Sequence, residues 1–151
     1  MANADRYFED VHVGDVWTGE PILITEDEII AFGRAYDPQP MHTDPVAAAS
    51  GPFGSLIASG WHVLALIMKP FAEARPYGST PILGIGVDEL RWLQPIRPGD
   101  RLTVRREVIS AKQSMSKPDR GVLKTLVEVT NQAGAKVMSF YTITQMPTRL
   151  R

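Results

Sequence analysis

The sequence predicts an α+β fold in which an antiparallel β-sheet wraps around one long buried helix. Two observations carry that expectation. Residues Leu56 to Met68 form an apolar run whose helical part, from Trp61 onward, has no polar face beyond His62, and a helix apolar on all sides has to be covered by other elements. After Arg75-Pro76-Tyr77-Gly78, four long segments with much β-branched content follow one another: Pro81 to Leu93, Asp100 to Ala111, Gly121 to Asn131 and Ala135 to Gln145. Short connections between such strands predict an antiparallel meander. With 151 residues and no internal repeat, low-complexity tract or linker, one domain over residues 1–151 is expected.

The elements follow in order. A turn at Gly14-Asp15 precedes a loosely alternating stretch, Val16 to Ile24, which reads as a short edge strand. Thr25-Glu26-Asp27-Glu28 is a capping box, and the stripe Ile29, Ile30, Phe32 and Gly33 predicts a helix of about ten residues. It stops near Tyr36, because Asp37 precedes a proline. Asp44-Pro45 marks a second helix start, with Asp44 as N-cap and a short helix over Val46 to Ala49. The long helix begins around Ala58-Ser59-Gly60. Arg97-Pro98-Gly99-Asp100 is read as the turn joining the first two long strands, and Gln132-Ala133-Gly134 as a tight hairpin. Gly84 and Gly86 signal a bend or a close backbone approach.

Composition excludes several function classes. The net charge is −1 and 44% of residues are apolar, so no basic excess points to nucleic acid. Arg91, Arg97, Arg101, Arg105 and Arg106 are interspersed with acids and read as a solvated sheet face. The chain has no cysteine, which excludes disulfides, thiolate nucleophiles and thiolate metal sites. The run Leu56 to Met68 falls short of the roughly 20 residues of a membrane span. Met1 to Asp10 is polar and acidic without an apolar signal segment. A cytoplasmic protein with neither nucleic acid nor membrane as partner is expected. A lone sheet leaves open edges; pairing copies edge to edge would close them, so a homodimer or dimer of dimers is expected.

The chemistry-bearing stretch is Tyr36-Asp37-Pro38-Gln39-Pro40-Met41-His42. Alone, Asp37 reads as a turn former and His42 as a structural histidine. Together they place an acid and a base five positions apart, on a loop where Pro38 and Pro40 remove freedom twice. Such a pair could share one water, each group accepting or donating a proton. Backbone N–H groups at the start of the long helix, near Gly60, could stabilise developing negative charge. His62 reads as a hydrogen-bonded core residue, His12 carries no signal, and Asp44 is an N-cap whose charge could also orient His42.

These residues resemble the MaoC-like hydratases, the (R)-specific enoyl-CoA hydratases with the hot-dog fold. Their motif, Gly-Asp-x-Asn-Pro-hydrophobic-His followed by x-Asp, is matched by Tyr36 to Asp44. The resemblance continues through Ile57-Ala58-Ser59-Gly60 and through Leu90 to Asp100, with its Pro-hydrophobic-x-Pro-Gly-Asp turn. Three positions depart from the pattern: Tyr36 replaces glycine, Gln39 replaces asparagine, and Ser59 stands where histidine is common. The resemblance implies a hydro-lyase that reversibly hydrates a trans-2-enoyl thioester to the (R)-3-hydroxyacyl thioester, with Asp37 and His42 activating one water. It implies the Gly60 N–H as oxyanion donor, and Gln39, Ser59, Trp61 and Phe53 as substrate contacts, with Trp92 helping to set tunnel depth. No metal is implied, and no cofactor beyond the coenzyme A carried by the substrate. Two alternatives stay open: a hot-dog acyl-CoA thioesterase, and a non-catalytic acyl-binding or partner subunit.

Overall fold

The computed structural model describes residues 3–149. After a 3-10 turn at Phe8–Asp10, the chain forms β1 (Val16–Thr18), β2 (Ile22–Leu23), α1 (Glu26–Tyr36), α2 (Pro40–Thr43), α3 (Pro45–Ala49) and α4 (Gly60–Ala74). Four long strands follow: β3 (Leu83–Trp92), β4 (Arg101–Gln113), β5 (Arg120–Thr130) and β6 (Lys136–Pro147). The helix starts are built by the expected caps. Thr25 Oγ1 accepts from the Glu28 N–H at 3.2 Å, and the Asp44 carboxylate accepts from Val46 and Ala47, both at 3.1 Å. Each satisfies donors that the first helical turn cannot satisfy itself. The expected strand from Val16 to Ile24 is two short strands separated by Gly19-Glu20-Pro21, both antiparallel to β4.

The sheet is antiparallel, but it is not the simple meander the short connections suggested. Its order is β1-β4-β5-β6-β3, with β2 also on β4. The first long strand therefore pairs with the last, and the Arg97–Asp100 turn does not join neighbours. Instead, the segment from Leu93 to Asp100 crosses the start of α4. The Leu93 N–H bonds to the Val137 carbonyl at 2.8 Å, and the Ile96 carbonyl accepts from the Ala58 N–H at 2.8 Å. Buried Ile96 pins that crossing into the core.

α4 lies against the inner face of the sheet, where His62, Val63 and Ile67 are buried with Val104, Val127, Val129 and Phe140. The expectation of a helix buried on all sides does not hold within one chain. Trp61 and Met68 are 61% and 52% exposed, because a single sheet covers only one side of the helix. The neighbouring edge strand β3 exposes Leu83, Ile85 and Val87 as well. α4 also runs on through Pro70 to Ala74, and its last turn is held by Phe71 packing edge-on against Trp17 at 5.1 Å.

Strand alternation corrects a second expectation. On β4 the residues Leu102, Val104 and Val108 face inward, and the same period of two turns Arg106 inward between them. Arg91, Arg101 and Arg105 are exposed, but Arg106 is not part of a solvated face. Gly84 and Gly86 flank a register shift on β3 with open space or ordinary contact above them, so they mark a bend rather than close packing. Among the described residues, no helix is long and apolar enough to cross a membrane.

Candidate active site

α1 ends where the sequence requires. The Asp37 N–H closes the helix on the Gly33 carbonyl at 2.9 Å, and Asp37 then leaves helical geometry at φ −148°, ψ 71°. Gln39 is extended, at φ −79°, ψ 143°. What was expected as loop continues as one helical turn, α2, because Pro40 supplies a φ suited to a first helical position. That turn buries the His42 side chain, which is 5% exposed. α2 packs tightly on α1: a Cβ at Gly33 would lie 2.6 Å from the His42 carbonyl oxygen. Only glycine permits this approach, and the sequence alone gave it no such role.

The imidazole is fixed at both nitrogens. Nδ1 lies 2.7 Å from the Ile57 carbonyl oxygen; a carbonyl only accepts, so Nδ1 carries a proton. Nε2 is therefore the nitrogen left to exchange protons, and it sits 3.3 Å from Asp37 Oδ2. The other carboxylate oxygen of Asp37 accepts from the Gln39 side-chain amide at 2.8 Å. That bond is the largest influence holding the Asp37 pKa below the usual carboxylate range; the Ser59 hydroxyl and His42 add to it, and burial opposes it. Ser59 Oγ is buried and closes no hydrogen bond of normal geometry. Its effect on Asp37 is thus that of a nearby dipole, weaker than the formed Gln39 bond. Asp44 caps α3 and does not orient His42; the Ile57 carbonyl does.

His42 and Gly60 both line a cavity of about 330 Å³, together with Val63, Trp92, Leu93 and Ile96. In the first turn of α4, the His62 and Val63 N–H groups turn back to the Ser59 carbonyl. Gly60, at the first helical position, has no intrahelical acceptor. At Gly60 the close approach that glycine permits is made by Trp92: a Cβ there would collide with its Cε2 and Nε1 atoms.

The four expected substrate contacts are placed differently from one another. Gln39 holds Asp37, and Ser59 is buried behind it. Trp61 meets Trp92 edge-to-face at 5.4 Å and is largely exposed, at the rim. Phe53 does not line the cavity; its carbonyl accepts from Arg97 at 2.6 Å. His62 is in the core as expected, but it stacks on Phe32 at 4.9 Å with Nδ1 unpartnered, rather than hydrogen-bonded. A larger cavity, about 600 Å³, contains none of these residues. Among the described residues no group of three or more His, Cys, Asp or Glu is arranged to hold a metal ion.

Comparison with known proteins agrees with this fold. Residues 9–132 match the family described as MaoC like domain. The fold is similar to that of the MaoC-like dehydratase from Rhodospirillum rubrum, with a TM-score of 0.85 and 35% identity over 97% of this chain and 99% of that one. It is similar also to the R-hydratase PhaJ1 from Pseudomonas aeruginosa, with a TM-score of 0.76 and 28% identity, covering 95% and 86% of the two chains. The 3-hydroxyacyl-thioester dehydratase Z of Mycobacterium tuberculosis is 30% identical over 116 residues, 74% of this chain and 76% of that protein.

Proposed function

The chain belongs to the MaoC-like domain family, and on that premise we propose that it is a hydro-lyase reversibly hydrating a trans-2-enoyl thioester to the (R)-3-hydroxyacyl thioester. The observation that carries this reading is the Asp37–His42 pair, 3.3 Å apart, whose His42 lines a cavity that Gly60 also lines. A water held by both groups gives a proton to His42 Nε2 as its oxygen bonds to C3 of the enoyl group. The C2–C3 π electrons move toward the thioester carbonyl, whose developing negative charge meets the Gly60 N–H. The Asp37–His42 pair then returns the proton to C2, so one water is added. Ile57 keeps Nδ1 protonated throughout, and Gln39 keeps Asp37 ionised to stabilise the imidazolium. The scheme draws only on these side chains, backbone donors and water; coenzyme A enters as part of the substrate.

The same reading takes the working protein as a homodimer or dimer of dimers. β3 is an open edge with apolar side chains exposed beside the uncovered face of α4, and contiguous apolar surface of this kind marks an interface.

Crotonyl-CoA is the test substrate, followed by loss of the conjugated enoyl absorbance, with thiol release measured in parallel. Hydration is expected, thiol release is not. Asp37→Asn and His42→Ala should each lower hydration at least about 100-fold while the oligomer, measured by light scattering, is unchanged. A wild-type protein that hydrates no enoyl thioester of any chain length overturns the reading, and thiol release without hydration would make it a thioesterase.

A further inference from the structure

The 600 Å³ cavity lies toward the other end of α4, walled by Met68 and Phe71 from that helix and by Ile85 and Val87 from β3, on apolar surface that the proposed partner copy would border and close. It begins about 12 Å along the helix from Gly60, counting eight residues to Met68 at 1.5 Å each. Into this mostly apolar space the fold puts Arg106, only 7% exposed. Its guanidinium lies over the Phe71 ring at 4.2 Å and the Trp17 ring at 5.9 Å. One Nη donates to the Ile67 carbonyl at 3.3 Å, and Nε has no partner. Among the described residues, no carboxylate pairs with it. Asp15, the cavity's acid, is already paired with Arg6 at 3.3 Å. Two cations and one acid leave the cavity with one positive charge in excess.

A buried charge without a counter-charge is costly, and its usual resolution is pairing. Burial pushes the Arg106 pKa down to about 10, so it remains a cation at neutral pH. The apolar walls exclude a small hydrated anion in favour of one that carries its own apolar body. The sheet side adds hydroxyls, at Thr125, Thr142 and Thr144, that can donate to the same anion. We propose that this cavity is a second binding site of the chain, taking an apolar chain that ends in a carboxylate paired with Arg106. Two sources supply that chemistry: the distal end of an acyl group whose thioester reacts at His42, and a free carboxylate amphipath. The first rests on the hydratase reading above; the second does not.

The test has two arms on the full-length protein. In the first, calorimetry compares decanoate with the uncharged decanol. Decanoate is expected to bind at least about tenfold more tightly, the scale of one charge-assisted hydrogen bond. Arg106→Met should erase that preference and Arg106→Lys should retain part of it. Equal binding of acid and alcohol, no binding of either, or a preference that survives in Arg106→Met overturns the proposal. In the second arm, kcat/KM is compared for two enoyl-CoA substrates of equal length, one ending in methyl and one in carboxylate. A preference for the carboxylate that falls at least about tenfold in Arg106→Met identifies the substrate's own tail as the ligand. A ratio near one, with decanoate still bound through Arg106, identifies a free amphipath. If neither thioester is hydrated, the hydratase reading falls while the first arm still decides the cavity.

Discussion

At the N-terminal end of α4 the acid and the base are each held twice over: Asp37 by Gln39 and His42, and His42 by Asp37 and the Ile57 carbonyl. About 10 Å along the same helix, Arg106 is buried with a backbone carbonyl and two aromatic faces around it and, among the described residues, no carboxylate paired with it. The difference separates a site whose charges are complete from one whose charge awaits a partner. In the first, the protein has fixed where protons sit; in the second, it has stored an unmet electrostatic demand. Substitutions should therefore cost reaction rate at one end and change binding or stability at the other.

The largest effect belongs to the complete end. Asp37→Asn and His42→Ala should each lower kcat/KM for enoyl-CoA hydration by about 100- to 10,000-fold, the range of general acid–base contributions. The double variant should lose little more than either single, because the two act as a unit. Decanoate binding at the far end should not change in any of them. An additive double variant would mean that the two side chains do not share one proton transfer.

Next in size is Gly60→Ala, whose methyl collides with the Trp92 indole. Overpacking of this kind costs about 1–3 kcal/mol, read from denaturant unfolding. In a Trp92→Ala background the atoms nearest that methyl are gone, so a double-mutant cycle should show most of that cost vanishing. If the cost persists without the indole, the glycine is required by the backbone and not by Trp92.

A smaller effect separates the ends by pH. The Gln39 amide is the first cause of the lowered Asp37 pKa, so Gln39→Leu should let it rise toward the ordinary carboxylate value. The acid limb of the kcat/KM profile should then move to higher pH, with the plateau retained. Stability follows with the same sign. A folded-state pKa below the unfolded one gives a contribution that is present above the unfolded pKa and is lost as pH falls through the folded one. Gln39→Leu narrows that window from its acid side. An unmoved acid limb would assign it to a group other than Asp37.

Much of the complete end was legible in the sequence. Thr25, Asp44 and the prolines act locally, through caps and φ restrictions that need no knowledge of distant contacts, and they fixed α1, α3 and the geometry between Asp37 and His42. Strand order was not legible, because an eight-residue connection from Leu93 to Asp100 fits a hairpin and a crossing equally well; only the packing of Ile96 under α4 decides it. The role of Gly33 depends on α2 packing against α1, a tertiary contact with no local signal. Arg106 is the instructive miss. Its register with Leu102, Val104 and Val108 was visible in the alternation, but its charge and its neighbour Arg105 favoured a solvated face.

The smallest expected effect is the stability of Arg106→Met, and its sign is what matters. Truncating one member of a buried ion pair strands the other charge and destabilises strongly. Arg106 has no acid to strand, so its replacement removes a desolvated cation, one hydrogen bond to Ile67 and two ring contacts, and substitutes an apolar chain that can lie against Trp17 and Phe71. These nearly offset, and the variant should unfold within about 1 kcal/mol of wild type, on the stabilised side. In wild type, saturating decanoate should raise the midpoint by mass action; in Arg106→Met the increment should be smaller at the same concentration. A loss of several kcal/mol in the ligand-free variant would mean that an acid outside this chain, across a contact between copies, already neutralises Arg106. The two ends of α4 would then be alike in having complete charges.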